Sequence, residues 1–219
     1  MVVRGNFKAE LDELKTSLLS LGRLSESAAQ QAVEALKGQD IETSLQIIDD
    51  DYKINELEED INDQVILMIA KQQPVASDLR RIMAAVKIST DIERVGDFAV
   101  NIAKSTIRIG NSSLIKPLED IPKMAEIALK MLADGLKAYD EEDVALARTL
   151  AETDDKVDKL YGELIQELLE LASKQPENMA QITQLAFVCR YIERIADHVT
   201  NIAESIIFLV KGKRYELND

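Results

Sequence analysis

The chain has 219 residues, of which 46% are apolar and only 4% aromatic, and its net charge is −14. Eight glycines and four prolines give few turn signals, and so few aromatic residues offer little material for sheets, so long helices are expected. The charge argues against nucleic acid or an anionic membrane surface as the main partner, and suits a cation or a basic protein surface.

Three features predict a cytoplasmic protein without membrane insertion. Cys189 is the single cysteine, so no intramolecular disulfide can form, which is typical of a reducing compartment. The first ten residues lack the apolar core of a signal peptide. The longest late apolar run, residues 206–210, is far too short to span a bilayer.

Apolar residues recur at helical spacing, and the first half of the chain divides into three helices. The sequence Gly38-Gln39-Asp40 ends the first helix, and Asp40 is a candidate cap for the second. A Gln-Gln-Pro break at residues 72–74 separates the second helix from the third, with Ser77 or Asp78 as a further candidate cap. The longest helix is expected to run about 30 residues, or roughly 45 Å.

The second half is predicted to repeat this layout. Residues 110–117 form the one linker-like segment, residues 139–143 end one helix and start another, and residues 174–176 repeat the Gln-Pro break. We therefore predict an all-α fold of six long antiparallel helices, arranged as two similar three-helix bundles with short connections. The predicted domains are residues 1–111, the first half, and residues 112–219, the second half.

An internal duplication supports this division. The pattern Glu-Arg-(Val/Ile)-x-Asp-x-x-x-Asn-Ile-Ala occurs at residues 93–103 and again at residues 193–203, one hundred positions later. The middle helices repeat at an offset of 103, where residues 51–57 align with residues 154–160. The change of offset predicts a slightly different connection between the second and third helix of each half.

The duplicated motif places acidic side chains along one line of a helix. At about 100° per residue, they fall roughly opposite the apolar stripe, so we expect them to face away from the bundle core. The ladder of the third helix consists of Glu93, Asp97 and Asn101, and that of the sixth helix of Glu193, Asp197, Asn201 and Glu204. Further oxygens could come from the middle helices, namely Asp51, Asn55, Asp154 and Asp158.

Such a ladder is suited to cations. Two carboxylates four residues apart on a helix repel each other by roughly 0.2–0.5 kcal/mol, and a bound divalent ion would reverse that sign. Carboxylate and amide oxygens are hard ligands that suit magnesium, calcium, manganese or iron, and two helical turns of them favour more than one ion. The alternative is a solvated acidic face, in which Arg94 and Arg194 pair with the aspartates three residues later.

Catalytic chemistry is not indicated. A di-iron bundle needs Glu-x-x-His motifs, but the single histidine, His198, is preceded three residues earlier by Ile195. His198 is therefore expected at a surface or interface, and Cys189 is expected to serve packing. Neither a glycine-rich phosphate loop nor a Ser-His-Asp set can be assembled, so the chain is not expected to be an enzyme.

The two motifs, each followed by Asn-Ile-Ala, resemble the duplicated signature of the PhoU phosphate-uptake regulators. The resemblance covers nearly the whole chain and implies two three-helix bundles with multinuclear metal clusters of iron, magnesium, manganese or zinc. It implies a negative regulator of the phosphate-starvation response that couples the ATPase subunit of a phosphate ABC transporter to a sensor histidine kinase. Carried over by position, the ligands would be Glu93, Asp97, Glu193 and Asp197, with Asn101, Asn201, Asp51 and Asp154 as weaker candidates.

The halves differ at three positions of interest. Lys104 stands where the second half has Glu204, and Asn55 where it has Asp158, so the second site is expected to hold an ion more tightly or to hold more ions. Gly96 stands where the second motif has Ala196, which either permits close approach of another helix or has no consequence.

Three functions remain open from the sequence. The first is a regulatory adaptor whose long amphipathic helices and acidic charge dock basic patches on partner proteins. The second is a metal-dependent phosphohydrolase, which would need an open coordination position and a positioned base. The third is a metal-free helical scaffold. Helices of this length also favour a homodimer.

Overall fold

The computed structural model describes residues 2–217, with side chains from residue 7 onward, and this part of the chain is helical without any strand. The helices are α1 (Val2–Gly38), α2 (Ile41–Asp50), α3 (Tyr52–Gln72), α4 (Ser77–Ile109), α5 (Asp120–Glu141), α6 (Val144–Lys174) and α7 (Met179–Lys211), with a 3₁₀ turn at Pro176–Asn178. The predicted all-α architecture is confirmed. The longest helix, α1, has 37 residues and exceeds the predicted length.

Two of the six helix starts from α2 to α7 have a side-chain cap. Asp40 caps α2, and its side chain accepts a hydrogen bond from the backbone N–H of Thr43 at 3.0 Å. Asp143 caps α6 in the same way. The prediction of Ser77 or Asp78 as a cap for α4 was wrong, because the residue before this helix is Ala76, which has a φ of +49° and makes no side-chain cap.

The second predicted helix is divided at Asp51. The carbonyl of Asp51 accepts from the backbone N–H groups of both Ile54, at 3.0 Å, and Asn55, at 3.2 Å. In the second half the corresponding helix, α6, runs without interruption through Asp154. The break between α2 and α3 therefore belongs to the first half alone, and it places Asp51 at a helix junction.

The two halves meet along a seam between α4 and α7, which lie antiparallel, and along a second contact between α1 and α5. Nδ1 of His198 lies 2.8 Å from Oδ1 of Asp91 across the seam, and the rings of Phe98 and Tyr191 stack with centroids 6.1 Å apart. Residues 91 and 191, and residues 98 and 198, are repeat counterparts. The seam therefore has the two-fold symmetry of the duplication, with a polar pair at one place and an aromatic pair at the other.

One continuous core joins both halves. Its central side chains come from the apolar stripes predicted for the third and sixth helices; the fully buried members include Ile88, Ile92, Val95, Val188, Ile192, Val199 and Ile202. The predicted boundary at residues 111 and 112 lies in the connection between α4 and α5, and the division into two domains stays a prediction. No helix between residues 2 and 217 carries a stretch long and apolar enough to cross a membrane.

Gly96 lets α3 approach α4. A Cβ added there would lie 2.9 Å from Cδ1 and 3.2 Å from Cγ2 of Ile54, which is closer than ordinary van der Waals contact. The alternative that this glycine has no consequence is therefore excluded. Since Ile54 is only three residues from Asp51, the close approach of these helices also brings the acidic side chains of α3 toward those of α4.

Candidate functional site

The first acidic cluster lies between α3 and α4 and consists of Asp51, Asn55, Glu58, Glu93 and Asp97. Burial raises the pKa of Glu93, and the charge of Asp97 raises it further. The neighbouring Arg94 acts in the opposite direction, while Glu58 and Asp51 again raise this pKa. Four carboxylates from two helices therefore lie close enough to affect one another.

Asp51 joins the cluster from the junction of α2 and α3. Burial raises its pKa, Asp97 raises it further, and the side-chain amide of Asn55 and the ammonium of Lys104 lower it. Asn55 Nδ2 donates to Asp51 Oδ2 at 3.4 Å, whereas Oδ1 of both side chains is buried without a hydrogen-bond donor. Buried acceptor oxygens without donors are costly, and a cation would satisfy them.

The second acidic cluster lies between α6 and α7 and consists of Asp158, Glu193 and Asp197, and Asp154, the repeat counterpart of Asp51, is buried on α6. Burial raises the pKa of Glu193, as does the charge of Asp197, while Arg190 and Arg194 lower it and Asp158 raises it slightly. The pKa of Asp158 is raised by burial and by Asp197. The duplication thus produces an equivalent acidic cluster in each half.

The prediction that these carboxylates face away from the core was wrong. Glu193 is 8% exposed and Asp154 is 4% exposed, and Glu93, Asp97 and Asp51 are half-buried. Helical periodicity identifies the side of a helix that faces its own core, but it cannot show that α6 covers the flank of α7 and that α3 covers the flank of α4. The acidic ladders lie in the grooves between these helix pairs.

Arginine side chains already neutralise part of this charge. Arg94 Nη1 lies 2.6 Å from Asp97 Oδ2, and Arg194 Nη1 lies 3.3 Å from Asp197 Oδ2, as the spacing predicted. An unpredicted residue, Arg190, donates from Nη1 to Glu193 Oε1 at 2.5 Å. The second cluster therefore has an arginine that the first lacks.

Three predicted residues do not join the clusters in the same way. Asn201 Nδ2 donates to Asp91 Oδ1 across the seam at 3.3 Å, and Glu204 Oε1 accepts from the backbone N–H of Leu217 at 2.8 Å. Asn101 is half-buried on α4, one turn beyond Asp97. Glu204 therefore contacts the C-terminal segment, whereas Asp158 lies near Asp197, so of these two differences only Asp158 adds a carboxylate to the second cluster.

Sequence reasoning missed Glu58, although its position carried a signal. It lies seven residues after Asp51, and therefore two turns along the same face of the helix. Glu58 Oε1 accepts from Thr90 Oγ1 at 3.3 Å and from Asn62 Nδ2 at 2.8 Å. The repeat offsets place Tyr161 at the counterpart of Glu58 and Arg190 at the counterpart of Thr90, so both differences between the halves could have been found by aligning them.

The donor set suits a hard cation, but its atoms are not gathered around one point. Between residues 7 and 217, the described side chains include no group of three or more histidine, cysteine, aspartate or glutamate residues that could hold a metal ion as placed. The oxygen ligands, the buried Oδ1 atoms of Asp51 and Asn55, and the raised pKa of Glu93 fit a cation in their chemistry. Rotation of the side chains would be needed to complete a coordination shell.

The two remaining reactive side chains are explained by packing. His198 lies at the seam against Asp91 and against the ring of Phe98, so it is an interface residue, one of the two predicted places. Cys189 is fully buried, and burial raises the pKa of its thiol to about 12. The prediction that this cysteine serves packing is confirmed.

Comparison with known proteins gives consistent matches along the chain. A family model described as "PhoU domain" matches residues 18–106 and residues 121–206. The phosphate-specific transport system accessory protein PhoU homolog of Clostridium acetobutylicum is 40% identical over 219 residues, which cover 100% of both chains. The protein of the same description from Aquifex aeolicus is 40% identical over 204 residues, covering 93% of this chain and 92% of that protein.

Two crystal structures are similar in fold. PhoU from Pseudomonas aeruginosa superimposes with a TM-score of 0.91 at 32% identity, covering 94% of this chain and 100% of that chain. The phosphate transport system regulatory protein PhoU from Streptococcus pneumoniae gives a TM-score of 0.90 at 32% identity, covering 95% of this chain and 99% of that chain. Each comparison spans both halves, so the similarity extends to the paired arrangement of the two bundles.

Proposed function

This chain belongs to the PhoU family, and we propose on that premise that it is a regulatory accessory protein of a phosphate-specific transport system. The observation that carries the proposal is the duplicated Glu-Arg-x-x-Asp motif, set in each half of a fold that matches PhoU along its whole length. Within this role, we propose that the chain acts in the cytoplasm as a negative regulator of phosphate uptake and of the phosphate-starvation response.

We propose that regulation works through contact with two proteins. The chain would act as an adaptor between the ATPase subunit of a phosphate ABC transporter and a sensor histidine kinase. Support comes from its shape and charge, because long helices offer extended surfaces and a net charge of −14 complements basic patches on partners. A homodimer would present both surfaces twice.

The acidic clusters are the proposed cation sites. Glu93, Asp97 and Asp51 would supply oxygen ligands in the first cluster. Their counterparts Glu193, Asp197 and Asp154 would do so in the second. Iron, magnesium, manganese or zinc would supply the positive charge that offsets the repulsion between these half-buried carboxylates. Metal binding would in this way join the two helices of each pair, α3 with α4 and α6 with α7.

The regulatory role is tested by deletion of the gene in its own organism. We expect alkaline phosphatase activity and phosphate uptake to rise in phosphate-rich medium, because a negative regulator is removed. The wild-type gene should restore repression, and so should the control variant Glu34→Ala/Glu170→Ala, which removes two exposed carboxylates far from the clusters. Unchanged phosphatase activity and uptake in the deletion strain would contradict the proposed function.

Cation binding has its own test. Protein purified without chelator and analysed by mass spectrometry of its metal content should contain divalent or iron ions. The variant Glu93→Ala/Asp97→Ala should contain fewer ions than wild type and than the Glu34→Ala/Glu170→Ala control; equal metal content in all three would contradict the assignment of the first cluster. The relatives are named as accessory proteins, and a phosphatase assay with common phosphoesters is accordingly expected to show no turnover above a metal-only control.

A further inference from the structure

The two acidic clusters differ most in the surroundings of their central glutamates. Around Glu93, the charges that affect its pKa are three carboxylates, on Asp97, Glu58 and Asp51, and one arginine, Arg94. Around Glu193 they are two carboxylates and two arginines. Glu193 is thus contacted by an arginine three residues earlier, Arg190, whereas the corresponding position before Glu93 is occupied by the uncharged Thr90.

Arg190 supplies the additional positive charge of the second cluster. Its guanidinium donates to Glu193 Oε1 at 2.5 Å and also lowers the pKa of Asp158. The side chain of Glu193 is only 11% exposed and that of Arg190 is 39% exposed, so this ion pair is partly buried and is screened less than a pair between two fully exposed side chains. The other oxygen, Oε2, is buried without a hydrogen-bond donor and lies 3.9 Å from Arg194 Nε.

Tyr161 holds Arg190 in this position. The guanidinium carbon of Arg190 lies 5.8 Å from the centre of the Tyr161 ring, within the range of a cation–π interaction. In the first half the same two repeat positions are Glu58 and Thr90, which are joined by a hydrogen bond of 3.3 Å. An acidic side chain and a hydroxyl in one half thus correspond to an aromatic ring and a guanidinium in the other.

We propose that Arg190, held over the ring of Tyr161, is a resident counter-cation that occupies Glu193 and competes with metal ions for the second cluster, which lowers the affinity of that cluster. Cations taken up by the chain would therefore bind the first cluster in preference. This inference rests on the cation binding proposed above and reverses the order expected from sequence, in which the second half was the tighter site. A guanidinium and a metal ion compete for the same carboxylate oxygens, so removing one favours the other.

The test counts bound Mn²⁺ by electron paramagnetic resonance and measures its affinity by calorimetry. The test variants are Arg190→Thr, which installs the residue of the first half, and Arg190→Gln, which keeps a hydrogen-bond donor if the first variant folds poorly. The matched control is Arg148→Thr, which removes another arginine stacked on a tyrosine, Tyr215, at 5.6 Å. In both Arg190 variants an additional class of bound Mn²⁺ should be detected, which we assign to the second cluster. Its affinity should be at least tenfold higher than that of the same cluster in wild type.

The outcomes separate this inference from the proposal beneath it. If wild type binds Mn²⁺ and both Arg190 variants bind it with the same stoichiometry and affinity, the inference about Arg190 is overturned, whereas the proposed cation sites are not. An absence of Mn²⁺ binding in wild type and variants would overturn it together with the proposed cation sites. The variant Tyr161→Leu should show a smaller gain than Arg190→Thr, and a Mn²⁺ titration identical to that of wild type would refute the role of the ring.

A second measurement needs no metal. In buffer with chelator, Arg190→Thr should lower the thermal midpoint more than Arg148→Thr does, because it leaves the buried Glu193 carboxylate without its counter-ion. Adding Glu193→Gln to Arg190→Thr should restore most of that loss. Equal midpoints for Arg190→Thr and the Arg148→Thr control would show that Arg190 is not the counter-cation.

Discussion

Replacing Gly96 by alanine tests whether the close approach of α3 and α4 is built into the fold. The added methyl group would lie 2.9 Å from Cδ1 and 3.2 Å from Cγ2 of Ile54. Cγ2 belongs to a β-branched side chain with few rotamers, so it cannot move away freely. Overpacking of this kind costs about 1–3 kcal/mol, against a gain of about 1 kcal/mol from the helix propensity of alanine.

The second half supplies both a control and a compensating change. Gly162 lies in α6, is exposed, and has no atom within 4 Å of an added Cβ, so Gly162→Ala should gain only helix propensity, about 0.5–1 kcal/mol. The difference between Gly96→Ala and Gly162→Ala is then the steric cost. At the repeat counterparts of Ile54 and Gly96 stand Val157 and Ala196, which together have the same number of carbon atoms.

The double variant Ile54→Val/Gly96→Ala installs that second-half pair and removes Cδ1, the closest contact. Alone, Ile54→Val should cost about 0.5–1.5 kcal/mol, and the double variant should be more stable than the sum predicts by at least about 0.5 kcal/mol. Urea denaturation is followed by circular dichroism and by tyrosine fluorescence, whose transitions should coincide if unfolding is two-state. The steric argument fails if Gly96→Ala is as stable as Gly162→Ala. It also fails if the effects of Ile54→Val and Gly96→Ala on stability are additive in the double variant.

Gly212→Ala should lower stability by about 1–2 kcal/mol, since its φ is +68° and an added Cβ would lie 3.3 Å from Cζ of Arg80, and an unchanged thermal midpoint would contradict this. Because burial and like charges raise the pKa of Glu93, the folded chain holds this proton more tightly than the unfolded chain, so the contribution of Glu93 to metal-free stability should rise as pH falls from neutral toward about 4.3. This contribution is lost as the pH rises through the folded-state pKa, and the slope of the urea midpoint against pH should be smaller in Glu93→Gln; an equal slope would refute the assignment. Cys189 should resist a maleimide at neutral pH in the folded protein and react in concentrated urea, whereas rapid labelling of the folded chain would contradict its burial.

The helix breaks could be predicted, apart from the division of the second helix at Asp51, because their causes are local. The N–H group that Asp40 caps belongs to Thr43, only three residues later, and each Gln-Pro break acts within a single helical turn. The start of α4 could not be predicted in this way, because Ala76 adopts a positive φ that its own sequence does not favour.

The acidic clusters were predictable in identity but not in environment. The duplicated motif identifies Glu93 and Glu193 from spacing alone, yet burial of the second depends on α6, whose packing against α7 has no signature in the motif. Asn201 illustrates the same limit. It continues the ladder of α7 by four residues, but it turns toward Asp91 because the seam with α4 provides an acceptor there. Periodicity describes one helix and its core, whereas a site between helices depends on two.

The differences between the halves come in pairs that only make physical sense together. Arg190 without the ring of Tyr161 would lose its cation–π contact, and Thr90 without Glu58 would lose its side-chain acceptor. A change at one of these positions therefore removes one contact of the other, while Thr90 keeps its hydrogen bond to the carbonyl of Val86 and Arg190 keeps its contact with Glu193. The backbone of the two halves is repeated, while the balance of charge around the central glutamate is not. Equivalent motifs in one chain thus have unequal surroundings.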